Sequence, residues 1–420
     1  MALTGEPGDA PVAGPAGMFD VVQDLVTTLE DAGDRLDARP AVDPAVLLAG
    51  RAGTLGLRRQ GRTSAGGMCR LLPAADGWWA VSLARPSDRE GVPALVALAG
   101  AADDRSDADP WDVLATAAPR TTVAQLVDAA TVLGIPSAAL PAGPPPPPPP
   151  PWRTRPLGAP GAPAELAGAL VVDLSSLWAG PLCARLLASG GARVVKVEFP
   201  QRLDGARRGS VAFYDWLHTG TESVLLDPAT AAGRDDLRRL LEAADVVLEA
   251  SRPRALQQLD LSPDQLPHPD GQVWVSLTGH GRSSDRVAFG DDAAVAGGLV
   301  GGSVGGSATD PVFCADAIAD PLTGLAAAAA TFDSLARGGG ELVEVVMRDV
   351  AAGAAAAAAG APGTGRVTTD RSGRWAVSCA GCGTRHPVLA PAALPRVAPA
   401  PGPGAHTRAV LRGGGLRARR

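Results

Sequence analysis

Lysine is all but missing from this 420-residue chain: of its 38 basic residues only Lys196 is a lysine, and the others are arginines. With 52 glycines, 39 prolines and long alanine runs, this bias points to a GC-rich coding sequence that uses arginine wherever either cation serves. Lys196 then fits a position where the larger, planar guanidinium does not substitute freely. Basic runs are missing as well. A formal net charge of −6 does not suggest charge-driven binding to nucleic acid or to an anionic membrane. No stretch of about eighteen strongly apolar residues occurs, and the alanine-rich runs at 325–330 and 354–359 are weakly hydrophobic. The amino terminus, MALTGEPGDAPVAG, lacks a basic segment followed by an apolar core, so no secretory leader is expected. These absences predict a soluble, cytoplasmic protein with neither a membrane nor a nucleic-acid partner.

Cysteine is also sparse. Cys69, Cys183, Cys314, Cys379 and Cys382 are odd in number and scattered, which argues against a disulfide framework. Cys379 and Cys382, with His386, have half the spacing of a zinc site, but no second pair lies nearby. A hairpin that carries two cysteines is the preferred reading, and no metal is expected. His218, His268, His280 and His406 form no triad-like or metal-like grouping in the sequence.

What is present is patterned, and the chain is long enough for two domains. Residues 1–15 are rich in Gly, Pro and Ala and are expected to be disordered. Apolar spacing predicts an amphipathic helix over Met18–Leu36. Asp76–Ala84 reads as a turn and a short strand, and Thr121–Ile135 as a helix capped by threonine and closed near Gly134. The unbroken run Pro144–Pro151 predicts a stiff polyproline spacer of about 25 Å. Beyond it the periods alternate. Strands are expected at Ala169–Leu174, Arg193–Glu198, Val246–Glu249, Val273–Thr278 and Glu341–Met347. Helices are expected at Leu182–Ala188, at Gly233–Ala243 and from about Asp291. Such alternation argues for an α/β fold with a parallel sheet covered on both faces. From Ala351 the chain becomes Ala/Gly/Pro-rich, with one hairpin-like stretch over Gly373–Val388.

The most informative segment is Val171–Pro200, VVDLSSLWAGPLCARLLASGGARVVKVEFP. An apolar strand ends at Asp173, and a loop carries Trp178-Ala179-Gly180-Pro181. A helix follows to Gly190-Gly191, and a second strand ends in Lys196-Val197-Glu198. Gly180 allows backbone to approach a ligand, and Pro181 suits the first turn of a helix whose amino end favours phosphate. The turn lacks a Gly-x-Gly-x-x-Gly fingerprint, which disfavours NAD and FAD.

This segment resembles the opening of the class III (CaiB/BaiF) CoA-transferases, "DLS…AGP…LLADLGAxVIKVExP". The likeness continues in family order through Asp204 with Arg207-Arg208, Leu217–Asp227, Ala244–Leu261, Val275–Gly281, Gly290–Leu299 and Ala317–Ala328. It implies a Rossmann-like parallel sheet in a large domain with a smaller α+β domain. It also implies a homodimer, and an acyl-CoA and a carboxylic acid as partners. CoA is then a substrate and no cofactor is tightly bound. Carried over, the CoA-binding residues are Trp178, Ala179, Leu217, His218, Thr219, Gly220, Ala250, Ser251, Arg252, Thr278, Gly279, His280 and Gly281. Arg252 suits a phosphate, because a guanidinium pairs with it bidentately.

In the family an aspartate attacks the thioester, and a carboxylate suits acyl transfer in two steps. The corresponding segment holds adjacent aspartates. Its amino-terminal flank aligns Asp292 with the nucleophile, and its carboxy-terminal flank aligns Asp291. Both are also ordinary residues for a helix start. The related α-methylacyl-CoA racemases place a histidine before this aspartate and a second acid later. Asp320 matches the second acid, whereas Gly290 or Asp291 stands where the histidine would be, so transfer is preferred over racemisation. Thr221, Ala250-Ser251 and Ala296 depart from the family pattern and keep open a member that binds CoA esters without turnover. The resemblance divides the chain into four parts. Residues 1–143 are a small-domain-like α+β segment, and 144–165 a proline-rich linker. Residues 166–350 are the CoA-binding α/β domain, and 351–420 a segment returning to it.

Overall fold

The computed structural model describes residues 2–12, 17–101, 108–143, 147–162, 165–302, 310–360, 367–369, 373–378 and 383–412. Pro144–Pro146 and the Cys379/Cys382 pair lie outside the described residues. Near the amino end, β1 (Cys69–Ala74), β2 (Gly77–Ser82) and β3 (Ser137–Ala139) form an antiparallel sheet. The large sheet takes β4 (Arg153–Pro156), β5 (Leu170–Asp173), β6 (Arg193–Glu198), β7 (Glu222–Leu225), β8 (Val246–Glu249) and β9 (Val273–Thr278). After a short ladder of β10 (Val300–Gly301) with β11 (Val312–Phe313), it is completed by β12 (Glu341–Val346).

The seven strands lie in the order β4-β12-β9-β8-β5-β6-β7. All neighbours pair in parallel except β4, which runs antiparallel to β12. From β5 the chain steps outward through β6 and β7, then returns to build β8, β9 and β12 on the other side of β5. This is the Rossmann order, and it reverses between β5 and β8. The loops that leave the carboxy ends of those strands therefore diverge and leave a crevice where such folds bind ligands. Every residue of β5, β8 and β9 is buried, as expected for a parallel sheet covered on both faces.

One face is covered by helices Ala179–Ser189, Ala319–Ala336 and Met18–Arg35. The other carries Ala231–Ala243, Pro253–Gln257 and the carboxy-terminal helix Thr407–Arg412, with Leu237, Leu240, Leu256 and Val410 in a shared core. The helix starting at Met18 thus packs into the core of the large sheet. Residues 69–139 instead make their own apolar cluster around Trp79, Leu95, Leu114 and Leu126. The opposite face of β1 and β2 places Cys69, Leu71 and Ala80 against Val295, Val300 and Phe313. That contact seats the small sheet on helix Gly290–Ala296.

Two sequence expectations changed. Residues 2–12, expected to be disordered, include the buried Leu3 and Thr4, and the Thr4 hydroxyl accepts the Ala315 N–H at 3.1 Å. Met347–Gly360 is a helix where only an Ala/Gly-rich tail was expected, since alanine has the highest helix propensity and Val350, Ala351 and Ala354 join the core. The carboxy-terminal chain returns to the sheet edge. Ser223 of edge strand β7 donates its N–H to His406 Nδ1 at 3.0 Å, and His406 donates its own to the Ser223 carbonyl at 2.9 Å. That pairing covers an edge otherwise open to another strand.

Candidate active site

The loop after β5 is held by buried charge. Ser175 donates its N–H to Asp173 Oδ1 at 2.8 Å, and its hydroxyl bonds the same carboxylate. Lys196, 1% exposed at the end of β6, donates to the Ser175 carbonyl at 2.9 Å. Its ammonium lies 3.0 Å from Asp204 Oδ2 and 3.7 Å from Asp173 Oδ2. Burial opposes its charge, but the two aspartates outweigh burial and hold the lysine above its ordinary value. A Cβ on Gly180 would fall 2.2 Å from Ser175 Oγ, so only glycine lets the helix start this close to the loop. Beneath it, Arg207 grips Glu198 at 2.9 Å and stacks over Tyr214, which orders the loop after β6.

The two candidate nucleophiles sit at the start of helix Gly290–Ala296 but face different surroundings. Asp292 has no solvent exposure. Its Oδ1 accepts the Ser82 hydroxyl at 2.8 Å and the Phe289 N–H at 3.1 Å, while among the described residues Oδ2 has only the latter, at 3.2 Å. Burial pushes it up to about 7, against the pull of Ser82 and the Phe289 N–H. Asp291, half-buried, accepts the Ala317 N–H at 3.0 Å. Burial and then Asp316 raise it to about 6. Asp316 pairs with Arg51 at 2.6 Å, and Asp320 is pushed by burial to about 7 although Arg51 opposes the shift. Gly290 lies between these groups: a Cβ there would meet Asp320 Oδ2 at 2.5 Å and the Ala317 carbonyl at 2.4 Å. Ala315 and Ala317 both adopt positive φ, 58° and 42°. Non-glycine residues avoid that conformation, and here it aims the Ala317 N–H at Asp291.

Across the crevice stands a basic wall. Arg252 lies against the end of helix Val123–Leu133, with Nη2 2.9 Å from where a Cβ of Gly134 would sit, and Arg85 donates to the Gly134 carbonyl at 2.7 Å. Burial and the neighbouring Arg254 and Arg85 push Arg252 down, and Arg202 adds to this. The balancing acids are Asp88 on Arg85 and Asp285 on Arg254. Four guanidiniums facing two carboxylates leave the wall short of negative charge. Nearby, Thr278 Oγ1 accepts the Gly281 N–H at 3.1 Å, closing the turn that carries His280. The His280 ring is buried, and neither nitrogen has a hydrogen-bond partner among the described residues. Burial, Arg286 and Arg348 lower it to about 3, so it is neutral near pH 7.

Trp178, Ala179, Ala250, Ser251, Arg252 and Thr278–Gly281 all follow the carboxy ends of β5, β8 or β9 and ring the crevice. Leu217–Gly220 enters β7 from its amino end instead. Two of the aromatic side chains nominated for CoA point inward: Trp178 packs edge-on against Phe213 under Arg51, and His218 lies beside Tyr214 and Asp204. Burial, Lys196 and Arg207 keep His218 neutral. Sequence reasoning did not single out Arg51, Ser82, Arg85, Arg286 or Asp316. The first three come from segments far from the motif, so no local spacing could reveal them; Asp316 stands in the same short motif as Asp320. A groove of about 510 Å³ between Gly161, Glu165, Asp245, Asp270 and Gly338 opens at the amino ends of β5, β8, β9 and β12 and includes none of these groups.

This crevice, rimmed by arginines and floored by carboxyls, lies in a Rossmann-like α/β fold. The sequence pattern of CoA-transferase family III matches residues 166–384. The chain belongs to that family. It is 34% identical over 191 residues to the α-methylacyl-CoA racemase of Homo sapiens, covering 43% of this chain and 48% of the relative. It is 28% identical over 211 residues to the succinate–glutarate CoA-transferase of Agrobacterium fabrum, covering 46% and 53%. A CaiB/BaiF family protein from Brucella suis, of known crystal structure, matches with 25% identity and a TM-score of 0.43, covering 50% of this chain and 65% of that one. The chain spans about half the length of the curated relatives it matches.

Proposed function

We propose that this protein moves CoA between an acyl-CoA and a carboxylic acid, with Asp292 as acyl acceptor. The observation that carries this reading is a dry carboxylate at a helix start, with Oδ1 engaged twice and Oδ2 held by one long contact. Oδ2 attacks the thioester carbonyl, a C–O bond forms, the C–S bond breaks and CoA thiolate leaves. The thiolate then attacks the aspartyl carbonyl of the mixed anhydride and releases the first carboxylate, leaving an aspartyl-CoA thioester. The acceptor carboxylate repeats these steps in reverse and departs as the new acyl-CoA. No redox partner is needed, and CoA enters and leaves as substrate. Since Asp292 is covered, the thioester reaches it only when the Gly279–Phe289 loop moves aside.

Hydroxylamine trapping tests this directly. The protein incubated with acyl-CoA is expected to yield a hydroxamate on Asp292, seen by peptide mass spectrometry. With CoA still bound, absence of an adduct at both Asp291 and Asp292 sinks transfer and favours a protein that binds CoA esters without turnover. For the nucleotide, Arg252→Gln is expected to weaken CoA binding about tenfold and to flatten its salt dependence. An unchanged calorimetric Kd and salt slope would remove Arg252 from the phosphate site.

One observation favours a second reading. Asp291 and Asp320, raised to about 6 and about 7, flank Gly290 and could exchange a proton at the α-carbon of an acyl-CoA. Loss of α-deuterium from a 2-methylacyl-CoA, abolished by Asp291→Asn, would put racemisation ahead of transfer.

A further inference from the structure

The large sheet alone does not complete the surroundings of Asp292. Ser82 is the last residue of β2, 2% exposed, and its hydroxyl is 2.8 Å from Asp292 Oδ1 across 210 residues of sequence. Its own backbone is fixed on both sides. Cys69 opposes it in the β1–β2 ladder, and its N–H donates to the Pro136 carbonyl at 2.9 Å. The segment just before the hairpin brings Ser64, whose Oγ accepts the Cys69 N–H at 3.1 Å and which lowers Asp291 against burial.

We propose that Ser82 is a positioning residue: its hydroxyl ties up Oδ1 of Asp292, leaves Oδ2 as the attacking oxygen, and makes the amino-terminal hairpin part of the transfer site. This rests on the acyl-acceptor reading of Asp292. The chemistry follows from the bond. A hydroxyl that donates to one oxygen fixes the carboxylate plane and favours the charged form, so removal of the donor moves the carboxyl toward protonation. Other charges face the same group. Asp291 on its own helix raises it, and Asp292 in turn raises Asp320 on Ala319–Ala336, while Cys69 on β1 is a neutral thiol driven up by burial and by both aspartates. Arg286 faces Asp292 from the loop before the helix, and Arg348 of Met347–Gly360 acts on Arg286. None of these groups donates a hydrogen bond to Oδ1, so none replaces the hydroxyl.

The experiment pairs activity with a titration that does not need activity. Asp292 is followed by carboxyl-carbon NMR, assigned with Asp292→Asn, in the wild type, Ser82→Ala and Ser82→Thr. Ser82→Ala is expected to move the Asp292 titration about one unit upward, a tenfold change in its ionisation constant. The acidic limb of kcat/KM should move with it, so transfer falls about tenfold at pH 6 and recovers by pH 9, with CoA affinity unchanged. Ser82→Thr keeps the hydroxyl and should restore the profile. An unmoved titration in Ser82→Ala overturns the assignment of Ser82, whether or not the wild type transfers. A moved titration with no hydroxamate on wild-type Asp292 overturns the acyl-acceptor reading instead, and with it any part for Ser82 in transfer.

Discussion

Asp292→Asn is expected to abolish transfer, by about a thousandfold or more, and at the same time to stabilise the protein at alkaline pH. At pH 8 Asp292 is ionised folded and unfolded, but only the folded state holds the charge without water. The gap between its ordinary value of 3.8 and about 7 corresponds to on the order of 4 kcal/mol. Because the folded value is raised, the stability associated with this group is fully present below pH 3.8 and is lost as pH rises through about 7. Asparagine has the same shape, keeps the Ser82 and Phe289 contacts, and never charges. Its advantage should be about 4 kcal/mol at pH 8 and shrink to about 2 kcal/mol at pH 5. Urea titrations of both proteins at the two pH values check this. An advantage that does not change with pH would mean that Asp292 is not held as a desolvated acid.

Lys196→Met should have the opposite sign and a comparable size. It strips the counter-charge from Asp173 and Asp204 in a site with no access to water, a loss of about 3–5 kcal/mol. Asp204 Oδ1 also accepts the Leu177 N–H at 3.0 Å, so the loop that opens the crevice should loosen with the pair. The urea midpoint should fall, and limited proteolysis should cut between Asp173 and Pro181. Lys196→Arg is not expected to rescue it, because the longer, planar side chain must fit a close-packed interior. An unfolding free energy within about 0.5 kcal/mol of wild type would show that the charge cluster contributes nothing net.

How legible this was depends on the range of the interactions involved. The strand Val246–Glu249 and the strands starting at Arg193 and Val273 appear at the residues expected, because apolar runs buried on both faces leave their signature in a few consecutive positions. The helix Val123–Leu133 was visible from its threonine cap, which closes a capping box with Gln125. Helix Pro44–Leu55 was not seen, although Asp43 caps it, because its burial is decided by the large core on which it rests. The same holds for β4, whose four residues are all exposed and whose strand geometry comes only from pairing with β12.

The site divides along the same line. Asp291, Asp292, Asp320 and the loop residues could be named from the chain, since each stands in a local motif whose spacing is set by one turn or one helix start. Which aspartate is dry, which oxygen is free and which hydroxyl holds it depend on residues 210 apart that no spacing relates. The sequence by itself determined the alternation of strands and helices, the glycine at the crevice loop, and the place of the lone lysine in the motif. The tertiary structure decided the rest: burial and proximity raise a carboxyl from an ordinary acid to one titrating near neutrality, and both exist only once distant segments have packed.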